Sequence, residues 1–215
     1  MSAAGPATAA PSAEAKAPRR GRPPSGARER ILEAAIEALK ADGYAGLTFA
    51  KVAARSGESK PLIAYHFGSR EGLVGAAGTQ VAELMTARIL AHMEGARTVE
   101  EIVRGALLGT AAVMDDDVRL ARLYFDLAAV SVVEPEIRST IGAINEEWRR
   151  ILAERLASAS DGVPSDRLRA MTLLVIGGIQ GLALERIERG DAPELSEAGE
   201  LFVRCAADAA RRLSN

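Results

Sequence analysis

Residues 47–73 read LTFAKVAARSGESKPLIAYHFGSREGL. Thr48 and Ser59 are of the residue types that cap a helix by accepting a backbone N–H on a side-chain oxygen. The stretch therefore reads as a short helix from Phe49 to about Ser56, a tight turn at Gly57-Glu58, and a second helix from Lys60 to about His66. Pro61 falls in the first turn of the second helix, where its missing N–H loses no bond. Three offsets then matter. Ala53 is small where the two helices must approach, Gly57 four residues on supplies a turn of positive φ, and Ile63 ten residues after Ala53 is an apolar plug. A small residue, a turn glycine and a plug at those distances describe a helix-turn-helix.

Upstream, Ser25 is placed to cap a helix from about Arg28 to Ala41, with the stripe Ile31, Leu32, Ala35, Ile36 and Leu39. Glu29, Glu33 and Glu37 lie on another face, and Gly43 is expected to stop the helix as a left-handed residue. Four of the eight aromatics (Tyr44, Phe49, Tyr65 and Phe67) fall in this module. Phe49 and Phe67 suit a small core, whereas Tyr65 suits an outward position with its hydroxyl near a phosphate. Before the module stands Arg19-Arg20-Gly21-Arg22-Pro23-Pro24, an extended basic arm able to lie in a narrow minor groove, or equally to serve as a basic linker. The first 18 residues contain no Leu, Ile, Val or Phe, which predicts a disordered tail and no secretory signal.

Residues 28–73 closely resemble the DNA-binding domain of the TetR/AcrR family, above all at Leu47–Ala53 and Ser59–Leu73. The resemblance implies a dimeric, all-helical transcriptional regulator, usually a repressor, that a small ligand releases from operator DNA. By position it implies that Thr48 and Tyr65 contact phosphates. Lys60, Pro61, Leu62 and His66 would lie at or near base edges, and Arg70 would pair with the DNA backbone. Arg20, Arg22, Arg28 and Ser59 complete the expected DNA-binding set. Two positions depart from the commoner pattern, Leu62 in place of a hydroxyl residue and Ala64 in place of a tyrosine. Both remove hydrogen bonds, which shifts the expected affinity toward phosphate contacts and the arm and makes it salt-dependent.

The charge distribution fits such a division. The chain of 215 residues has a net charge of −2, a value that taken alone argues against nucleic acid. Residues 1–70 hold 11 Lys+Arg and 6 Asp+Glu, a net of +5, whereas residues 71–215 hold 16 and 23, a net of −7. One cysteine, Cys205, excludes an internal disulfide framework, and it is expected to be free and buried. Two histidines leave little for zinc or imidazole chemistry.

From Arg70 onward the sequence reads as helix throughout. The expected segments are Arg70–Glu94, Val99–Asp115, Val118–Val133, Pro135–Ser158, Asp166–Arg189 and Ser196–Leu213, with Gly, Pro and Asp punctuation between them. The Asp115-Asp116-Asp117 run reads as solvated caps, not a metal site. Ile137, Ile141, Ile144, Trp148, Ile151, Leu152 and Leu156 form one stripe, and Leu120, Leu123, Tyr124, Leu127 and Val130 another. Met114, Tyr124, Asn145, Trp148 and Gln180 are candidate ligand contacts, since apolar walls with a few polar tips suit a small-molecule cavity. Plain core filling accounts equally well for Trp148 and Tyr124. Residues 123–156 distantly resemble the BetI-type members of the family.

Ala170–Leu184 is uncharged over 15 residues, short of the roughly 20 that span a bilayer, so no membrane segment is expected. It is apolar on every side, so it must be covered all round. In the family the last two helices form a four-helix dimer interface. Val175, Gly178, Ile179, Leu182, Phe202, Cys205 and Ala209 are the candidates for it, and a monomeric core is the other use.

The sequence thus predicts an all-α protein. A tail (1–18) and an arm (19–27) precede a three-helix helix-turn-helix domain (28–69) and a helical ligand-binding and dimerisation bundle (70–215). The expected function is a cytoplasmic homodimeric repressor that a small, largely apolar ligand releases from a pseudopalindromic double-stranded operator. The alternative is a ligand-independent regulator controlled by a protein partner. No nucleophile–base pair, phosphate loop or metal spacing supports an enzyme, and no cofactor is expected. Gly177-Gly178-Ile179-Gln180-Gly181 lies within a helix and is no phosphate cradle.

Overall fold

The computed structural model describes residues 26–160 and 162–213, which form eight α-helices and no strand. The tail, the Arg20/Arg22 arm and the Ser25 cap lie outside the described residues.

The amino-terminal unit consists of α1 (Ala27–Gly46), α2 (Phe49–Ser56) and α3 (Lys60–Phe67). Thr48 Oγ1 accepts the Lys51 N–H and Ser59 Oγ the Leu62 N–H, each at 3.3 Å, so both short helices start where their caps stand. Gly57 turns the chain at φ 73°, and Val52 and Ile63 are fully buried against α1. An ion pair from Arg30 to Glu58 (2.6 Å) ties α1 to that turn. The first helix breaks at Gly43, as its sequence predicts, and a further turn follows the kink. Gly43 has positive φ (68°) but an extended ψ (−177°), a conformation that glycine adopts without strain, and the chain coils again as far as Gly46.

The remainder is a bundle of α4 (Arg70–His92), α5 (Val99–Val130), α6 (Pro135–Ser158), α7 (Ser165–Arg189) and α8 (Pro193–Leu213). Thr98 and Glu101 cap α5 reciprocally. The two helices expected over Val99–Asp115 and Val118–Val133 are one element with a break at Asp117 (φ −159°, ψ 95°). Asp117 Oδ1 accepts the Arg119 N–H (3.1 Å), so the acid caps the second half and no loop is needed. The last helix begins before the predicted Ser196, because Pro193 fits a first turn. Gly105 and Gly109 let α5 pass so close to α4 that a Cβ at either would overlap the backbone at His92 or Ile89.

One core cluster runs without interruption from the amino-terminal unit (Ile31, Leu39, Val52, Ile63) through α4 (Val74, Val81) into α5 and α6 (Leu123, Leu127, Ile141). A second joins α5, α6, α7 and α8 at the far end, around Val103, Leu156, Val175 and Val203.

Three expectations for the carboxy-terminal helices change. Within one chain α7 is covered on one side only, and Leu173 and Leu174 are 57% and 62% exposed. By length and apolar composition alone α7 reaches the range of a membrane-crossing helix, because that span admits flanking charges that its uncharged run excludes. Cys205 is exposed, since α8 turns Val203, Ala206, Ala207 and Ala210 inward.

Ile63 plugs the module with no exposed surface. Ile63→Ala should lower the unfolding free energy by about 3 kcal/mol, measured by denaturant titration.

Candidate nucleic-acid interface and interior cavity

The outer face of α3 is built by exclusion. Ile63 must point inward, and Leu62 and Phe67 pack partly against the same core, so Lys60, Pro61, Ala64 and Tyr65 are left facing out. Tyr65 is 74% exposed, with its hydroxyl free of any protein core. Thr48 and Ser59 stand exposed at the helix starts, and Arg28 lies over the Phe67 ring at 5.4 Å. Lys51 and Arg55 on α2 are also exposed, though Lys51 bonds Asp42 at 2.9 Å. They extend the basic surface, and motif matching had no reason to select them.

Three residues of the expected DNA set are placed differently. Arg70 is spent within the protein. Its Nε donates to the Leu47 carbonyl (2.8 Å), Nη2 donates to the Tyr44 carbonyl, and the guanidinium stacks over the Tyr44 ring at 4.2 Å. It therefore clamps the end of α1 and the start of α2 onto α4 and has little left for a phosphate. His66 is half-buried, its Nε2 enclosed without a hydrogen-bond partner, so the ring does not project with Lys60 and Tyr65. Leu62 is half-turned toward the core.

The amino-terminal unit is fastened to the body at two carboxylates of α5. Lys40 on α1 pairs with Asp117 at 2.7 Å, with the lysine side chain only 9% exposed. The Tyr44 N–H donates to Asp126 Oδ2 (2.7 Å), close to Gly43. The Arg119 guanidinium above all, and then Lys40, hold the Asp117 carboxyl well below the usual carboxylate range. Burial works against the Lys40 charge, but bonds to Asp117 and Glu37 outweigh it and raise its pKa.

Between these anchors in sequence lies Tyr124, which points the other way. Its hydroxyl donates to Asn145 Oδ1 (2.7 Å) and accepts from Gln180 Nε2 (2.8 Å), and its ring meets Trp148 at 4.9 Å. Burial pushes the Tyr124 phenol up, against the pull of those two bonds. Trp148 Nε1 donates to Thr86 Oγ1 at 2.7 Å. Beside this group lies a cavity of about 90 Å3, walled by Ile89, Met93, Ile151, Leu152 and Ile179 and tipped by Thr86, Thr110, Trp148 and Gln180. Four of the five candidate ligand residues (Tyr124, Asn145, Trp148 and Gln180) thus form one connected group. Met114 is apart from it, buried against Ala121 and Ala183. Thr86 and Thr110 were not selected from the sequence, because a lone threonine in a helix carries no signal.

Of the residues expected at a dimer seam, Val175 is fully buried in the chain's own second core, Gly178 is covered by the Phe202 ring, and Ile179 faces the cavity. Leu182 lines an open groove with α5 and α8, Ala209 is half-buried, and Cys205 faces out. The surface left open on α7 is a different stripe: Ala170, Leu174, Gly177, Gly181 and Leu184. Its 4-3-4-3 spacing is that of a helix–helix seam, and nothing crowds a Cβ at Gly177 or Gly181.

Residues 31–77, which hold the capped helix pair and its plug, match the family model described as bacterial regulatory proteins, tetR family. The match covers this amino-terminal module, which is similar to the DNA-binding part of the tetR family. Two regulators of transcription are similar to it. The regulator BetI 1 of Chromohalobacter salexigens is 24% identical over 56% of this chain, and the match spans 60% of that regulator. The regulator CymR of Pseudomonas putida is 24% identical over 81% of this chain and 90% of its own length. In structure, a putative transcriptional regulator from Saccharomonospora viridis in complex with choline shares the fold, with a TM-score of 0.65 and 19% identity over 83% of this chain and 94% of that one. Both relatives are named as helix-turn-helix regulators of transcription, and the module they share with this chain is the one built above.

Arg70 as an internal clamp makes a distinct prediction. Arg70→Ala should lower stability by about 2 kcal/mol in denaturant unfolding. Its log–log salt slope for DNA binding should stay within error of the wild type, whereas loss of a phosphate contact would reduce it by about 1.

Proposed function

We propose that this protein is a dimeric repressor of the TetR family, acting in the cytoplasm, that releases a pseudopalindromic operator when a small, largely apolar effector fills the cavity between α4, α5, α6 and α7. One observation carries the reading. Among the surfaces that the single chain leaves unfilled are the outer face of α3 and the seam-spaced stripe of α7. The first suits the major groove, and the second suits its own copy. One helix-turn-helix reads few base pairs, so two-fold pairing through α7 and α8 supplies the second half-site.

In this reading Lys60 and Tyr65 engage the groove and its phosphates, with Thr48 and Ser59 at the helix starts and Arg28, Lys51 and Arg55 as flanking charge. The effector works by binding one conformation better than the other. Its route to the DNA is short. Tyr124 meets the cavity group and lies between Asp117 and Asp126, the two carboxylates that hold α1. A shift of the second half of α5 about the break at Asp117 therefore reorients the amino-terminal unit. The complex of the Saccharomonospora viridis regulator with choline supports a small-molecule effector for this architecture. A second reading, control by a protein partner, draws on the small size of the cavity, about 90 Å3 against the several hundred usual for ligand sites.

An operator selected from random duplexes should bind the wild type, and Lys60→Ala should weaken it by about tenfold and flatten its salt dependence. Leu174→Arg should turn the dimer into a monomer in sedimentation equilibrium and abolish tight binding to the full operator; a monomeric wild type would reject the dimer. The anchor at Asp117 has its own signature. A depressed folded-state pKa means that its stabilisation is present above the unfolded value and lost as pH falls. Asp117→Asn should therefore cost stability at neutral pH, and the deficit should shrink as pH drops below about 4.

A further inference from the structure

Trp148 stands between two spaces. On its inner side is the cavity of about 90 Å3, whose lining contains no charged side chain. On its outer side a groove of about 490 Å3 opens between α4 and α6. Thr86, Leu90 and Trp148 line both, so the indole forms part of the partition between them, bonded to Thr86 at 2.7 Å. That bond is a single neutral contact on a half-buried ring, and its breaking leaves the Thr86 hydroxyl still bonded to the Ala82 carbonyl (2.7 Å). Turning the indole aside gives up that bond and the 4.9 Å contact with the Tyr124 ring, and it merges the two spaces.

The chemistry of the merged site is polarised along its length. Its inner end is hydrocarbon, with the Gln180 amide at one edge. The ionisable groups of its outer end are both carboxylates, Glu83 and Glu147. Arg150 bonds Glu147 (2.6 Å), whereas Glu83 has no ion pair among the described residues. Arg88, the next cation on α4, is turned to Asp116. The outer space thus carries a net negative field, beside the face of an indole that also attracts cations.

We infer that the effector is an amphiphile, with an apolar tail that displaces Trp148 and enters the inner cavity and a cationic or neutral head that stays in the groove beside Glu83. The inference rests on the effector reading above and deepens it. An anionic head is disfavoured, because it would be desolvated beside Glu83 without a cation to receive it.

Trp148 is the sole tryptophan, so its emission reports the partition directly. The full-length protein is titrated below micelle formation with octyltrimethylammonium, 1-octanol and octanoate, and with tetramethylammonium as a head without a tail. Saturable changes in Trp148 emission are expected for the first two, octanoate should bind about tenfold more weakly, and tetramethylammonium should do nothing. Glu83→Gln should remove the advantage of octyltrimethylammonium over octanoate and leave 1-octanol unchanged. Thr86→Val should speed the association of 1-octanol. Equal binding of octanoate, an unchanged ranking in Glu83→Gln, or no emission change with any tailed probe would overturn the inference. Binding without release of the selected operator leaves the ligand class standing and counts against effector-released repression alone.

Discussion

The three amino-terminal helices have no core of their own to retreat into. Ile31, Leu39, Val52 and Ile63 belong to the same buried cluster as Leu123, Tyr124, Leu127 and Ile141, with α4 as the shared wall. A three-helix unit of this size buries too little apolar surface to stand alone. It is stable because its apolar stripe continues into the body. That constraint also makes it responsive. Close-packed interiors transmit displacement instead of absorbing it, so in the proposed mechanism a movement at Tyr124 would reach the helices that carry Lys60 and Tyr65.

Polar contacts then set the angle that apolar packing leaves loose. Arg70 holds the loop between α1 and α2, while Asp117 and Asp126 hold the end of α1 against α5. The Lys40–Asp117 pair is mostly enclosed, and partly buried pairs resist screening better than surface ones. The many pairs on exposed helix faces, such as Glu147 with Arg150 and Glu146 with Arg149, are solvated and contribute little to stability. A few enclosed contacts define the joint, and the rest keep the surface wet.

What could be read from the sequence divides along the same line as local and non-local physics. The caps at Thr48 and Ser59, the turn at Gly57 and the plug at Ile63 follow from neighbours a few residues apart, and the structure has them where the sequence put them. The connected group of Tyr124, Asn145, Trp148 and Gln180 was also within reach, because polar tips on apolar stripes are few in this chain. Arg70 was not. Its motif position suggested a phosphate, and only the fold shows two carbonyls and a ring already in its reach. Val175 and Phe202 were expected at a seam because the family pairs through its last two helices, yet Val175 lies within the chain's own second core and Phe202 packs against it. The seam stripe of α7 became visible only once its inner side was known. Lys40 and Asp117 are far apart in sequence, and nothing local joins them.

The break at Asp117 has one more consequence. An unbroken α5 would be a rod of about 48 Å with a single macrodipole from Val99 to Val130. The extended residue divides it into two shorter dipoles, placing the negative end of the first directly before the positive end of the second. Arg88 beside Asp116 and Arg186 beside Asp115 stand where the first half ends, and the Asp117 carboxylate stands where the second begins. The joint thus stores opposite partial charges side by side in the middle of the molecule. Each new helix end at the break thus carries a side chain of the charge that complements it.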